Sequence, residues 1–178
     1  MKLVDFSWAR PGGAAIKAAG FAGVLRYVPY PGDGGKGLMD YEIQDYRSNG
    51  LSIGLVFEST AARHLDGYSA GVQDAHRCEV SITRLHFPEE LPVYFAVDFD
   101  ASEEQQALID DYQRGAISVL GMERVGVYGS YYVIERCEAN GTASWFWQTK
   151  AWSGGQVSDV ACIYQYLNGQ TINGAAVD

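Results

Sequence analysis

The sequence contains few cysteines and few histidines. The three cysteines, Cys78, Cys137 and Cys162, are widely spaced and odd in number, which argues against a disulfide framework and against a paired-cysteine metal site. The three histidines show neither an HExxH motif nor any paired spacing, so a zinc hydrolase of that kind has little support. We therefore expect buried free thiols, no metal site and no cofactor.

Positive charge is also scarce. The chain has 13 lysines and arginines against 22 aspartates and glutamates, a formal net charge of −9. Binding to a phosphate backbone would work against the field of such a protein. We expect no nucleic-acid partner.

Long apolar runs are missing as well. No run approaches the roughly 18 apolar residues that a membrane-spanning helix needs. At the amino terminus, Asp5 follows the apolar Leu3 and Val4 too soon for the apolar region of a signal peptide. The sequence thus predicts no membrane insertion and no signal peptide in this chain.

The apolar residues instead form short strand-like runs that alternate with helical patterns, within a single predicted domain over residues 1–178. Helical spacing and end signals predict helices at 14–19, 68–85, 107–120 and 131–139, and a further helix that Asp40 caps and that runs to about Ser48. Each follows a predicted strand, at 2–6, 23–28, 51–57, 91–100 and 125–129. Three more predicted strands, at 144–148, 161–166 and 175–178, have no helices between them.

This order predicts an α/β fold, a shortened TIM-like barrel of about five βα units followed by three β-strands. An open doubly wound sheet is the alternative. It is disfavoured because Pro11-Gly12-Gly13, after the first strand, is not the GxGxxG phosphate-binding motif.

Polar and aromatic residues stand at most of the predicted strand ends. Asp98 and Asp100 end one strand two residues apart, so they share a face and lie roughly 6 to 7 Å apart along the strand. In a barrel these ends and the loops after them form the active face. Taken singly, such residues are more often caps, turns or core. Carboxylates at four strand ends nevertheless predict a site, whose candidates are Asp5, Arg26, Glu58, Asp98, Asp100, Tyr128, Trp147, Gln148, Gln165 and Asp178.

Carboxylates in this pattern can hold a hard cation or perform acid–base chemistry on a glycosidic bond. Many tryptophans and tyrosines favour the second, because flat aromatic faces pack against sugar rings. A phosphoryl-transfer site would bring more basic residues than Arg26 and Arg63. Arg26 itself is predicted either to orient an acid or to form a barrel-lining salt bridge.

Seven short motifs resemble, in order along the chain, the glycoside-hydrolase-like family once described as a domain of unknown function. That family is related to the family 25 glycoside hydrolases, bacterial and phage muramidases whose barrel has five βα units and three further strands. The motifs are Val4-Asp5-Phe6-Ser7, Val56-Phe57-Glu58, Val97-Asp98-Phe99-Asp100, Gly126-Val127-Tyr128, Trp145-Phe146-Trp147-Gln148, Tyr164-Gln165-Tyr166 and Val177-Asp178.

The resemblance implies hydrolysis of bacterial cell-wall glycan, outside the cell, by Asp98, Asp100, Glu58 and Asp5. In the muramidases the fourth strand ends in Asp-x-Glu, whose Glu is the general acid, and Asp100 at that place is one methylene shorter. Because a proton donor must come within about 3 Å of the leaving oxygen, the shorter arm demands a shifted backbone, another donor such as Glu58, or another substrate. The alternative is a catalytically silent carbohydrate- or wall-binding domain on the same barrel.

The remaining candidates, Arg26, Tyr128, Trp147, Gln148, Gln165 and Asp178, are then expected to bind substrate. Gram-positive walls are anionic, so a domain of charge −9 is repelled by them at low salt. We expect it to be fused to, or delivered with, a wall-binding module.

Overall fold

A computed structural model describes all 178 residues. In chain order the elements are β1 (Leu3–Asp5), α1 (Gly13–Ala18), β2 (Gly23–Tyr27), α2 (Asp40–Ser48), β3 (Ser52–Phe57), α3 (Gly67–Arg84), β4 (Val93–Ala96), α4 (Gln106–Leu120), β5 (Val125–Gly129), α5 (Tyr131–Ala139), β6 (Trp145–Thr149), β7 (Ile163–Gln165), β8 (Gln170–Ile172) and β9 (Ala175–Val177). None of the helices has the length and apolarity needed to span a membrane.

The strands β1 to β7 follow one another in a single sheet, in the order in which they occur along the chain. The pairs β1–β2, β2–β3, β4–β5, β5–β6 and β6–β7 are parallel. A parallel sheet whose strand order follows chain order is typical of a TIM-like barrel rather than a doubly wound sheet. The α/β class predicted from the sequence is confirmed.

By its contacts the chain divides into two compact units. The first comprises Met1–Val56 and Leu167–Asp178, with the first strands, α1, α2 and the last two strands. The second comprises Phe57–Tyr166 and carries α3, α4 and α5.

The end of the chain differs from the prediction. The expected strand at 175–178 is present as β9, but it forms an antiparallel hairpin with β8, a strand outside the predicted ones. Asn173 and Gly174, both at positive φ (50° and 77°), make the two-residue turn that favours such a hairpin. The residue after β9 then exchanges two backbone hydrogen bonds with β1, because Asp5 and Asp178 each donate an N–H to the other's carbonyl at 2.9 Å.

In the second unit, helices α3 and α4 pack with their backbones in close approach. A Cβ on Gly71 would lie 1.9 Å from the Tyr112 carbonyl oxygen, and one on Gly115 would lie 2.1 Å from that of Tyr68. Only glycine fits at these two positions, so the helix pair is fixed by its sequence.

The strands of this unit have one face toward the helices. Phe95 on β4 contacts the Tyr112 ring of α4 at 5.8 Å between centroids, and Val97 and Val127 belong to a buried cluster with Ile109. Because side chains alternate along a strand, Tyr94, Tyr128 and their neighbours lie on the other face. The predicted acids Glu58 and Asp98 follow β3 and β4, and they lie on this other face.

Candidate active site

Asp98 lies just beyond β4 and is partly buried. The strand pairing continues past the end of β4, since Val97 donates its N–H to the Tyr128 carbonyl at 2.9 Å. Val97 faces the helices, so alternation turns Asp98 to the opposite face. The Asp98 N–H donates to the Ala61 carbonyl at 3.3 Å, which ties this backbone to the loop after β3.

Glu58 follows β3 and points to the same side of the sheet. The Phe57 ring packs on Phe95, toward the helices, with centroids 6.1 Å apart, so the next side chain, that of Glu58, lies on the opposite face. It too is partly buried. The structure therefore brings Glu58 and Asp98 to one face of the adjacent strands β3 and β4.

Asp100 has a different environment. It is exposed, and its side chain makes no hydrogen bond or ion pair within the protein. The two acids of the Asp-x-Asp motif thus differ. Asp98 is partly buried and its backbone is hydrogen-bonded to Ala61, whereas Asp100 faces water.

Three aromatic rings form a wall on the same face. The Trp147 ring meets Tyr128 edge-on at 4.7 Å and Tyr94 at 5.8 Å between centroids, and its buried Nε1 has no hydrogen-bond partner. The Tyr128 hydroxyl donates to Gln165 Oε1 at 2.9 Å. Burial raises the pKa of Tyr94, so this phenol stays neutral at physiological pH.

Gln148 is buried on the opposite side of β6. Its amide donates to the Gln156 carbonyl at 2.8 Å and to Ser153 Oγ at 3.3 Å, and its Oε1 accepts from the Ser158 N–H at 2.8 Å. The loop between β6 and β7 therefore rests on Gln148, whose amide is engaged within the protein.

In the first unit, the predicted residues are Asp5, Arg26 and Asp178. Asp5 ends β1 and is partly buried, whereas Asp178 is exposed. The Asp178 carboxylate accepts from the Gly169 N–H at 2.5 Å, in addition to the backbone pairing with Asp5. These two acids belong to the contacts that join the last strand to the first.

Arg26 is completely buried and pairs with Glu42, its Nε lying 3.3 Å from Glu42 Oε1. Its guanidinium also donates to the carbonyls of Phe6, Ser7 and Lys36, the last two at 3.1 and 3.2 Å. Burial lowers the pKa of Arg26, and the Glu42 carboxylate opposes that shift. Of the two predicted roles, the structure supports the internal salt bridge, which braces the loops after β1 and β2.

A buried carboxylate that the sequence did not single out holds the loop after β3. Asp74 accepts from Arg63 Nε at 2.8 Å, from Arg77 Nη1 at 2.7 Å and from the Tyr112 hydroxyl at 3.0 Å. Arg63 lies in the same loop as Ala61, whose carbonyl binds the Asp98 backbone. The available signal was the position of Asp74 on the buried stripe of α3, between Ala70 and Cys78.

His64, in the same loop, is fully buried with its ring 4.0 Å from the Tyr112 ring. Burial lowers its pKa to about 3, below the reference of about 6.5 for an unfolded chain. The unfolded state therefore binds a proton that the folded state does not, and stability falls as pH drops below about 6.5. We expect a loss of about 2 kcal/mol between pH 6 and pH 4.5 from this group, measured by urea unfolding.

His64→Phe, which keeps a ring against Tyr112, is the control for that titration. Its unfolding free energy should fall less steeply with acid than that of the wild type. Equal slopes for the two proteins would contradict a neutral buried His64.

Comparison with known proteins identifies the family. Residues 14–178 match the model of the Rv2525c-like, glycoside hydrolase-like domain. The chain belongs to this family. A member from Mycobacterium tuberculosis, Rv2525c, named as a candidate peptidoglycan hydrolase, is 31% identical over 188 residues, covering 99% of this chain and 78% of that protein. The crystal structure of that Tat-secreted protein with L-tartrate superposes with a TM-score of 0.91 at 32% identity, over 99% of this chain and 92% of that one.

The Rv2525c-like fold extends to more distant proteins of Streptococcus pneumoniae. The modular autolysin LytC gives a TM-score of 0.67 at 15% identity, over 99% of this chain and 45% of LytC. The virulence factor GHIP, described as a glycosyl hydrolase 25, gives 0.62 at 14% identity, over 98% of this chain and 84% of GHIP. At such identities the likeness concerns the fold alone, and it places this Rv2525c-like domain in the fold of the family 25 hydrolases.

Proposed function

We propose that the chain hydrolyses bacterial cell-wall glycan in the manner of a muramidase. The observation that carries the proposal is the placement of Glu58 and Asp98 on one face of adjacent strands, at their carboxyl ends. The wall of Tyr94, Tyr128 and Trp147 lies on that face. Cleavage of a glycosidic bond uses a pair of carboxyl groups, and aromatic rings beside such a pair favour binding of sugar.

The environments of the acids suggest their roles. Asp98, whose backbone is held by Ala61, is suited to stabilise the positive charge that develops on the sugar or to assist the substrate's N-acetyl group. Asp100, exposed and unpartnered in the protein, is suited to approach the leaving oxygen as proton donor. Glu58 is the second candidate for the donor, and Asp5 is a supporting acid.

The remaining predicted residues are proposed either to contact the glycan directly or to hold the loops that surround it. Tyr128, Trp147 and Gln165 are proposed to contact the glycan, with Trp147 Nε1 as a donor to a sugar oxygen. Gln148 and Arg26 are proposed to act through the loops that they hold. Asp178 has only the support of its strand-end position and its exposure.

The proposed site of action is outside the cell, at the wall. The support is the relative Rv2525c, which is Tat-secreted and named for peptidoglycan hydrolysis. The net charge of −9 opposes approach to an anionic wall at low salt, so we propose delivery with a wall-binding module.

The test is incubation of the purified protein with peptidoglycan, followed by measurement of new reducing ends and of protein that sediments with the wall. We expect the wild type to release reducing ends, and Asp100→Asn to lower the rate by about 100-fold or more if it removes the general acid. Asp100→Glu, which restores the longer arm, should retain activity.

Two outcomes would favour other functions. If the wild type sediments with the wall but releases no reducing ends, a catalytically silent wall-binding domain would be favoured. This alternative is specific because Asp100 stands where the muramidases have their catalytic Glu. Loss of activity on adding a chelator would favour a metal-dependent reaction instead.

A further inference from the structure

Trp152 occupies a backbone conformation that its side chain disfavours. Its φ is +55°, in the left-handed region, within the loop between β6 and β7. The same loop has positive φ at positions 154 and 155 (58° and 78°), and both of these are glycine. The chain thus uses glycine where the loop only turns and keeps a tryptophan where it is strained, which points to a function for the indole.

The strain cannot relax locally, because both neighbours of Trp152 are held. Ser153 is buried, and its Oγ donates to the Thr149 carbonyl at 2.6 Å and accepts from the Tyr131 N–H at 2.9 Å. On the other side, the Ala151 N–H donates to Thr149 Oγ1 at 3.2 Å. These bonds fix the direction in which residue 152 leaves the loop.

The fixed tryptophan has an exposed ring, and its loop contacts a second exposed aromatic residue. The Trp152 side chain is 38% exposed and has no hydrogen bond, and Tyr132 at the start of α5 is 39% exposed. The two segments are joined, since Gln156 Nε2 donates to the Tyr132 hydroxyl at 3.0 Å. We call Tyr132 and Trp152 the aromatic platform.

The aromatic platform follows the carboxyl ends of β5 and β6. Asp98 follows the carboxyl end of β4, and because these strands are parallel all three segments lie along one edge of the sheet. A long polymer lying along this edge would reach both the acids and the platform.

We propose that the aromatic platform is a glycan subsite that binds a sugar ring of the wall polymer away from the bond that is cut. Its ligand class rests on the proposed function. An indole offers a flat apolar face to the C–H side of a pyranose and, in Trp152, an N–H without a protein partner for a hydroxyl or acetamido oxygen.

The test is calorimetric titration with a soluble tetrasaccharide of alternating N-acetylglucosamine and N-acetylmuramic acid. Asp98→Asn serves as the parent, so that the probe is not consumed. Adding Trp152→Gly should weaken the affinity by about tenfold, which corresponds to about 1.4 kcal/mol. Trp152→Tyr keeps a flat ring, so its affinity should stay within about threefold of that of the parent.

His86→Gly is the matched control. His86 has the same φ of +55° but follows α3, at the amino edge of β4. It should leave the affinity unchanged, and the Tm of both glycine variants should stay within about 4 °C of the parent.

The possible outcomes test the proposed subsite independently of the proposed hydrolysis. Parent-like affinity in Trp152→Gly, an equal loss in His86→Gly, or no binding by the parent would overturn the subsite. Hydrolysis by the wild type together with parent-like affinity in Trp152→Gly would leave the proposed function standing alone. Binding that depends on Trp152, in a wild type that releases no reducing ends, would leave the subsite standing without the hydrolysis.

Discussion

Asp98→Asn should lower the rate of peptidoglycan hydrolysis by about a thousandfold, with glycan binding within a few fold of the wild type. Asparagine keeps the shape of the side chain and the backbone bond to Ala61, but it carries no negative charge to stabilise an oxocarbenium-like transition state. The rate is measured from new reducing ends, and binding from co-sedimentation with the wall.

Asp111→Asn is the matched control for this change. Asp111 is an exposed residue of α4 in the same unit, paired only with Arg114 at 3.0 Å, and the same substitution there should leave the rate unaltered. If Asp98→Asn retained a rate within threefold of the wild type, Asp98 would have no catalytic role.

Asp74→Asn should cost about 2 to 4 kcal/mol of unfolding free energy at pH 7, because it removes a buried carboxylate from two arginines. Arg63 and Arg77 are themselves partly exposed, so water compensates part of the loss. The measurement is urea unfolding, with Asp111→Asn again as the control, expected within about 0.5 kcal/mol of the wild type.

The loop after β3 links this stability effect to the site. Arg63, released from Asp74, would loosen the segment that includes Ala61 and Glu58, so Asp74→Asn should also lower the hydrolysis rate at temperatures where the variant is folded. An unfolding free energy equal to that of the wild type would mean that Asp74 does not anchor this loop.

The sequence was sufficient where local patterns decide the structure. Helix α5 has the predicted bounds, Tyr131–Ala139, and α2 ends at Ser48 as predicted, because a strong stop signal follows each of them. Asp40, which was predicted to cap α2, is instead its first residue. These features depend on neighbours in the chain and not on distant contacts.

The sequence was insufficient where a side chain depends on a distant partner. The burial of Arg26 required Glu42, which α2 brings to it, and the sequence left its role open. Trp147 and Gln148 were both predicted to bind substrate, yet consecutive residues of a strand point to opposite faces, a rule that could have separated them. The left-handed φ of Trp152 had no sequence signal, since tryptophan does not favour it.

The most direct test of glycan hydrolysis is mass spectrometry of the fragments released from peptidoglycan in ¹⁸O-labelled water. Hydrolysis adds one water oxygen to each new reducing end, so each cleavage should leave one ¹⁸O on a terminal sugar. Asp98→Asn should release about a thousandfold fewer labelled fragments in the same time. Wild-type fragments without ¹⁸O at a new reducing end, or no fragments at all, would contradict the assignment of this site to glycan hydrolysis.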